Sequence, residues 1–251
     1  MTLWPSPWPE SSITVLDDFT AEAAGLLAVD LRAAIRNRGI ASVVLAGGGT
    51  PQHLYRGLAS SKDIAWERVH FFWGDERLVP PDDPGSNFHG ASEALLDRIA
   101  IPDHNIHRIR GELPATAAVA DYLAQLSAFR TEHDPGAPHG WPRFDLVLLG
   151  LGEDGHTASL FPGTPTVTEP VIAVSADYQG RPAGRVTLTP LAINDARHVI
   201  FMATGANKAR AVRDTWRIDD PARFPARRIQ PAGGRVSWWL DRAAAAGLRP
   251  G

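Results

Sequence analysis

Four short segments of this chain set glycine beside charged or titratable side chains, and each has a composition suited to chemistry. In Gly150-Leu151-Gly152-Glu153-Asp154-Gly155-His156, three glycines enclose two acids and an imidazole. Glycine lets backbone approach a ligand closely, and an imidazole can take a proton from water near neutral pH. His156 is therefore the candidate general base; the other eight histidines are scattered and share no such setting. A second segment, Ala46-Gly47-Gly48-Gly49-Thr50-Pro51, can present backbone N–H groups and a helix start to an anion, or serve only as a tight strand-to-helix turn. It has neither the lysine of a Walker loop nor G-x-G-x-x-G spacing, so neither ATP nor a dinucleotide is implied. In the third, Phe71-Phe72-Trp73-Gly74-Asp75-Glu76-Arg77, an apolar run ends in three charges. The Arg77 guanidinium could meet a carbonyl oxygen or a phosphate, while Asp75 and Glu76 could equally form a paired surface turn. The fourth joins Arg185 to Ala203-Thr204-Gly205-Ala206-Asn207-Lys208. Only two of the 25 basic residues are lysine, which singles out Lys208; its ammonium and the Arg185 fork can hold an anion, or can serve in a salt bridge or at a helix start.

These segments need elements to aim them. Short apolar runs at residues 42–46, 69–73, 146–149, 171–174, 186–188 and 199–203 read as strands. Helical spacing covers residues 19–37, 91–98, 116–131 and 208–216, with another helix starting near Gln52. Thr189-Pro190 looks like an N-cap followed by proline at the first helical position. The alternation predicts an α/β sandwich, a mostly parallel sheet covered by helices on both faces. Strands 42–46, 69–73, 146–149 and 199–203 should then be parallel neighbours whose carboxyl ends open on one cleft. Residues 80–86 and 134–142 read as loops, and Trp238-Trp239-Leu240 as core packing with no chemistry.

The chain has 251 residues, 44% hydrophobic and 21% charged, enough for one large core, so a single domain over residues 1–251 is expected. A net charge of −3, with both signs mixed along the chain, offers no basic field for nucleic acid or anionic membrane. Cysteine is absent, which excludes disulfides, thiolate metal sites and a cysteine nucleophile. The Pro- and Trp-rich start lacks the basic and apolar regions of a signal peptide, and no apolar run is long enough to span a membrane. The expectation is a cytoplasmic protein with a small-molecule partner.

Taken in order, the four segments resemble the 6-phosphogluconolactonase family. The resemblance runs from about Ser42 to Lys208 and is most specific in Gly74-Asp75-Glu76-Arg77, Ser86-Asn87 and the run from Gly150 through His156 to Thr157-Ala158-Ser159-Leu160-Phe161-Pro162. It implies a Rossmann-like three-layer α/β/α sandwich and hydrolysis of 6-phospho-D-glucono-1,5-lactone without a cofactor. No metal is expected, because the lactone is already activated and the scattered His and Asp residues form no recognisable ligand set; a monomer or weak homo-oligomer is expected. On that reading His156 is the base, Asp154 orients it and Arg77 steadies the oxyanion. Asp75 is a second catalytic candidate, while Gly47, Gly48, Gly49, Thr50, Arg185 and Lys208 hold the phosphate. The related glucosamine-6-phosphate deaminases typically place an aromatic residue at the position of Arg77. A non-catalytic sugar-phosphate sensor is a third possibility.

Overall fold

The computed structural model describes residues 6–177 and 180–248, so residues 1–5 of the Pro- and Trp-rich start lie outside it. The large sheet has seven strands in the order β1-β10-β9-β6-β2-β3-β5, and every neighbouring pair is parallel. They are β1 (Ile13–Leu16), β2 (Ala41–Leu45), β3 (Val69–Trp73), β5 (Ile106–His107), β6 (Leu146–Gly150), β9 (His198–Ala203) and β10 (Arg235–Asp241). The four strands expected to be neighbours are β9, β6, β2 and β3, side by side. Every residue of β2, β3 and β9 is buried, because both faces of the sheet are covered. Helix α1 (Phe19–Arg38) packs on β2 and β10, and α2 (Gly49–Ala59) packs on α1, β6 and β9. No helix among the described residues is long and apolar enough to cross a membrane.

Two of the expected strands do not join this sheet. β7 (Val171–Ser175) and β8 (Gly184–Leu188) pair antiparallel, and β8 pairs antiparallel with β4 (Asp75–Arg77) in a separate three-stranded sheet. The alternating burial of β7 is that of a strand with one face in solvent, which a run of Val, Ile and Ala does not announce. Gly74 joins the two sheets: its N–H donates to Leu45 O of β2 and its carbonyl accepts from Leu188 N of β8, at 2.9 and 2.8 Å. The Asp-Glu-Arg run is therefore a buried strand and not a surface turn.

Helix boundaries shift where side chains compete for backbone. The helix expected at residues 91–98 is α3 (Asn87–Ala94) followed by a 3-10 turn, Leu96–Arg98. Ser86 starts α3 early by accepting from His89 N, and Leu95, at φ −138, breaks the run. α4 (Ala115–His133) and α6 (Ala206–Arg217) extend the expected spans slightly, and α2 begins inside the glycine segment. α5 (Pro190–Ile193) starts with proline as expected, but Thr189 makes no cap; its hydroxyl donates to Glu169 O instead. The tail is core packing, as read, but it is also strand β10: Trp238 stacks on Phe201 at 4.3 Å and meets Trp8 at 5.0 Å. Its two tryptophans masked a strand that pairs on both edges.

Candidate functional site

Strand order places the site. From β2 the chain builds outward through β3 and β5 on one side, and β6, β9 and β10 follow on the other. β2 and β6 therefore flank a topological switch point, and a crevice opens beyond their carboxyl ends. The Gly47–Gly49 turn follows β2, the Gly150–His156 loop follows β6, Asp75 follows β3 and Lys208 follows β9. Two buried tyrosines hold the strand ends in place. Tyr55 OH donates to Ala46 O at 2.8 Å and accepts from Ala46 N at 2.9 Å, and Tyr122 OH does the same for Trp73 at 2.8 and 3.0 Å. Burial raises both phenols, so each remains a neutral donor.

One cavity is lined by Gly47, Gly48, Gly49, Thr50, Asp75, Arg77, His156, Arg185 and Lys208, so nine of the ten candidate residues share it. Asp154 stands behind His156 instead, its Oδ1 2.6 Å from the ring Nδ1 and 3.1 Å from His156 N. Burial would raise the Asp154 carboxyl, but the hydrogen bond and charge of His156 outweigh it and hold it below the usual carboxylate range. The pairing requires Gly152, since a Cβ there would lie 2.1 Å from His156 Nδ1. Phe161 packs beneath the imidazole at 4.6 Å. An Nδ1–H donated to Asp154 puts the basic lone pair of the neutral ring on Nε2.

The opposite wall is β4 and β8. Asp75 accepts from Ser159 Oγ at 2.5 Å and from Asn87 Nδ2 at 3.2 Å. Arg77 Nη1 donates to Gly85 O, and Arg77 stands directly across from Arg185, its Cα partner on β8. Arg185 is 3% exposed, and its Nε and Nη2 have no hydrogen-bond partner among the described residues, nor does Arg77 Nε. Burial lowers the Arg185 guanidinium and the nearby Arg77 charge lowers it further. Two like charges at a cross-strand pair, each with a buried donor unpaired, are costly unless an anion joins them. Glu76 points away from the cavity and accepts from Arg77 N, Asn87 N and Phe88 N at 2.7 Å each and from Ser86 Oγ at 3.0 Å.

Two helix starts close the site. Gly48, at φ +102, is the N-cap of α2, a conformation that L side chains rarely adopt. Gly205 is the N-cap of α6, and neither helix has a side-chain cap; the start of α2, through Gly48, Gly49 and Thr50, lines the cavity, whereas α6 contributes Lys208. Thr50 and Thr204 tie the two starts together through hydroxyls 2.7 Å apart. Burial lowers the Lys208 ammonium, with Glu153 and Asp154 opposing the shift. Asn87 and Arg181 also line the cavity and escaped the reading of the sequence as site residues. The Ser86-Asn87 motif was a usable signal for Asn87; nothing local marked Arg181. Two larger clefts, of ≈ 470 and ≈ 420 Å³, gather no comparable set of charges. No group of three or more His, Asp or Glu among the described residues is arranged to hold a metal.

A family model described as glucosamine-6-phosphate isomerases/6-phosphogluconolactonase matches residues 15–238. The chain is 45% identical over 222 residues to a 6-phosphogluconolactonase of Synechocystis, covering 86% of this chain and 88% of that one. It is 42% identical to that of Nostoc over 95% of this chain and 99% of the other. The solved 6-phosphogluconolactonase of Trypanosoma cruzi superposes with TM-score 0.81 at 30% identity, covering 98% of each chain.

Proposed function

Because this chain belongs to the glucosamine-6-phosphate isomerase and 6-phosphogluconolactonase family, we propose that it hydrolyses 6-phospho-D-glucono-1,5-lactone to 6-phosphogluconate, the second step of the oxidative pentose phosphate pathway. It does so in the cytoplasm, without a cofactor, since a lactone is already an activated ester. The observation that supports the mechanism is the Asp154–His156 pair, which engages Nδ1 of a ring lining a cavity rich in cations. Nε2 takes a proton from water as the water oxygen bonds to the lactone carbonyl carbon. The carbonyl oxygen becomes an oxyanion, which the Arg77 guanidinium steadies. Collapse re-forms the carbonyl and breaks the bond to the ring oxygen. That oxygen takes the proton from His156 and leaves as a hydroxyl, so the product is an open-chain carboxylic acid. The phosphate sits on the Gly47–Thr50 turn between Arg185 and Lys208.

The test is turnover of freshly made lactone, measured against its spontaneous opening at low temperature and mildly acid pH. Hydrolysis in excess of the spontaneous rate and proportional to protein is expected. A lactone that binds without being turned over would replace the enzyme with a sensor, and ammonia released from glucosamine 6-phosphate would replace it with a deaminase.

A further inference from the structure

Four cations line the cavity, Arg77, Arg181, Arg185 and Lys208, against a single carboxylate, Asp75, already engaged by Ser159 and Asn87. Three of the four have places in the reaction described above; Arg181 does not. It lies in the connection between β7 and β8, just after Gly180 at φ +66. The backbone just after it is held at two points. Ala176 N donates to Ala183 O at 3.0 Å, carrying the hairpin ladder beyond the strands. Pro182 rests against Gly85, where a Cβ would come within 3.3 Å of its ring, and Gly85 is the residue whose carbonyl fixes Arg77. The Arg181 side chain is exposed and makes no hydrogen bond or ion pair among the described residues. Burial is the main cause that lowers both the Lys208 ammonium and the Arg185 guanidinium, and the charge of Arg181 lowers each of them further.

A solvent-facing cation held at the rim of a cavity already crowded with positive charge is unfavourable in the empty protein and favourable once a dianion enters. Resting on the proposed lactonase reaction, we infer that Arg181 is a further specificity residue, the outer cation that draws the phosphate group of the substrate into the cavity and then closes its charge against Lys208 and Arg185. Its contribution goes to capture of the dianion and not to the bond-breaking step, because the reacting carbonyl is served by His156 and Arg77.

The experiment compares Arg181→Ala and Arg181→Glu with the wild type on 6-phospho-D-glucono-1,5-lactone and on unphosphorylated D-glucono-1,5-lactone. Arg210→Ala, which removes the same charge from the 79%-exposed surface of α6, serves as the control. Loss of one charge-assisted contact predicts KM for the phosphorylated lactone about tenfold higher in Arg181→Ala and higher still in Arg181→Glu, with the loss in KM and not in kcat. The dependence of kcat/KM on ionic strength should flatten, and activity on the unphosphorylated lactone should not follow. Inorganic phosphate is a second probe that needs no turnover. It should raise the melting temperature of the wild type and of Arg210→Ala more than that of Arg181→Ala. If the wild type opens no lactone, the lactonase reading fails while this thermal comparison still decides whether Arg181 takes phosphate. Equal losses on both lactones, or an unchanged KM together with an unchanged phosphate response, would overturn the inference.

Discussion

His156 owes its orientation to a partner only two residues away. The turn through Gly155, at φ +86, brings the Asp154 carboxylate back to the Nδ1 edge of the ring, and Gly152 leaves the space for both. On the proposed mechanism the ring must be neutral, because a protonated imidazole cannot accept the proton of water. In His156→Asn the amide can replace one hydrogen bond but cannot act as a base. Turnover should drop about 10²- to 10⁴-fold, the usual worth of general base catalysis, while the fold and affinity for 6-phosphogluconate persist. Retained turnover would make His156 a loop residue and Asp75 or Asp154 the leading base; weakened product binding with turnover kept would make it a positioning group.

At the scale of elements, β4 carries the argument. Its outer residues, Asp75 and Arg77, line the cavity, while Glu76 between them is 2% exposed and binds the start of α3. Period-two alternation along three residues thus puts the cavity-lining side chains on one face and the anchoring one on the other. Burial raises the Glu76 carboxyl, and the three backbone N–H groups and the Ser86 hydroxyl oppose that shift. Glu76→Gln would turn an N–H₂ toward those donors, so unfolding in urea should show a loss of about 1–3 kcal/mol. Asn87 and Asp75 should also lose their register, lowering kcat/KM at temperatures where the variant is still folded. A variant of wild-type stability would mean that Ser86 capping alone holds α3.

For the molecule as a whole, the edge of the large sheet sets its tolerance of acid. His70 Nδ1 lies 3.1 Å from His107 Nε2, with His133, His104 and Phe129 around them. Burial lowers His70 to about 3 and His107 to about 4, and the charges of the neighbouring histidines add to the shift. In the unfolded chain both rings protonate near their ordinary value, so between about pH 6.5 and 4 the unfolded state binds more protons. Stability should therefore decline as pH falls through that window, by at most ~1.4 kcal/mol per pH unit for each ring. The double variant His70→Gln/His107→Gln should flatten the decline when urea midpoints are measured from pH 7 to pH 4. An unflattened decline would show that these two rings do not carry it. The sequence by itself determined the buried parallel strands, the glycine turns at their ends and the base candidate. Each of these is a local property: β-branched and aromatic runs, positive φ at glycine, an imidazole enclosed by glycines. Only the tertiary structure decided that β7 and β8 leave the main sheet, that Arg77 faces Arg185, that Arg181 joins the same cavity and that the tail is a strand. Several of these rest on pairings far apart in the chain, such as Arg77 with Arg185 and Ile13 with Trp238, and strand pairing is settled by which surfaces can be buried together, a quantity that no short window of sequence contains.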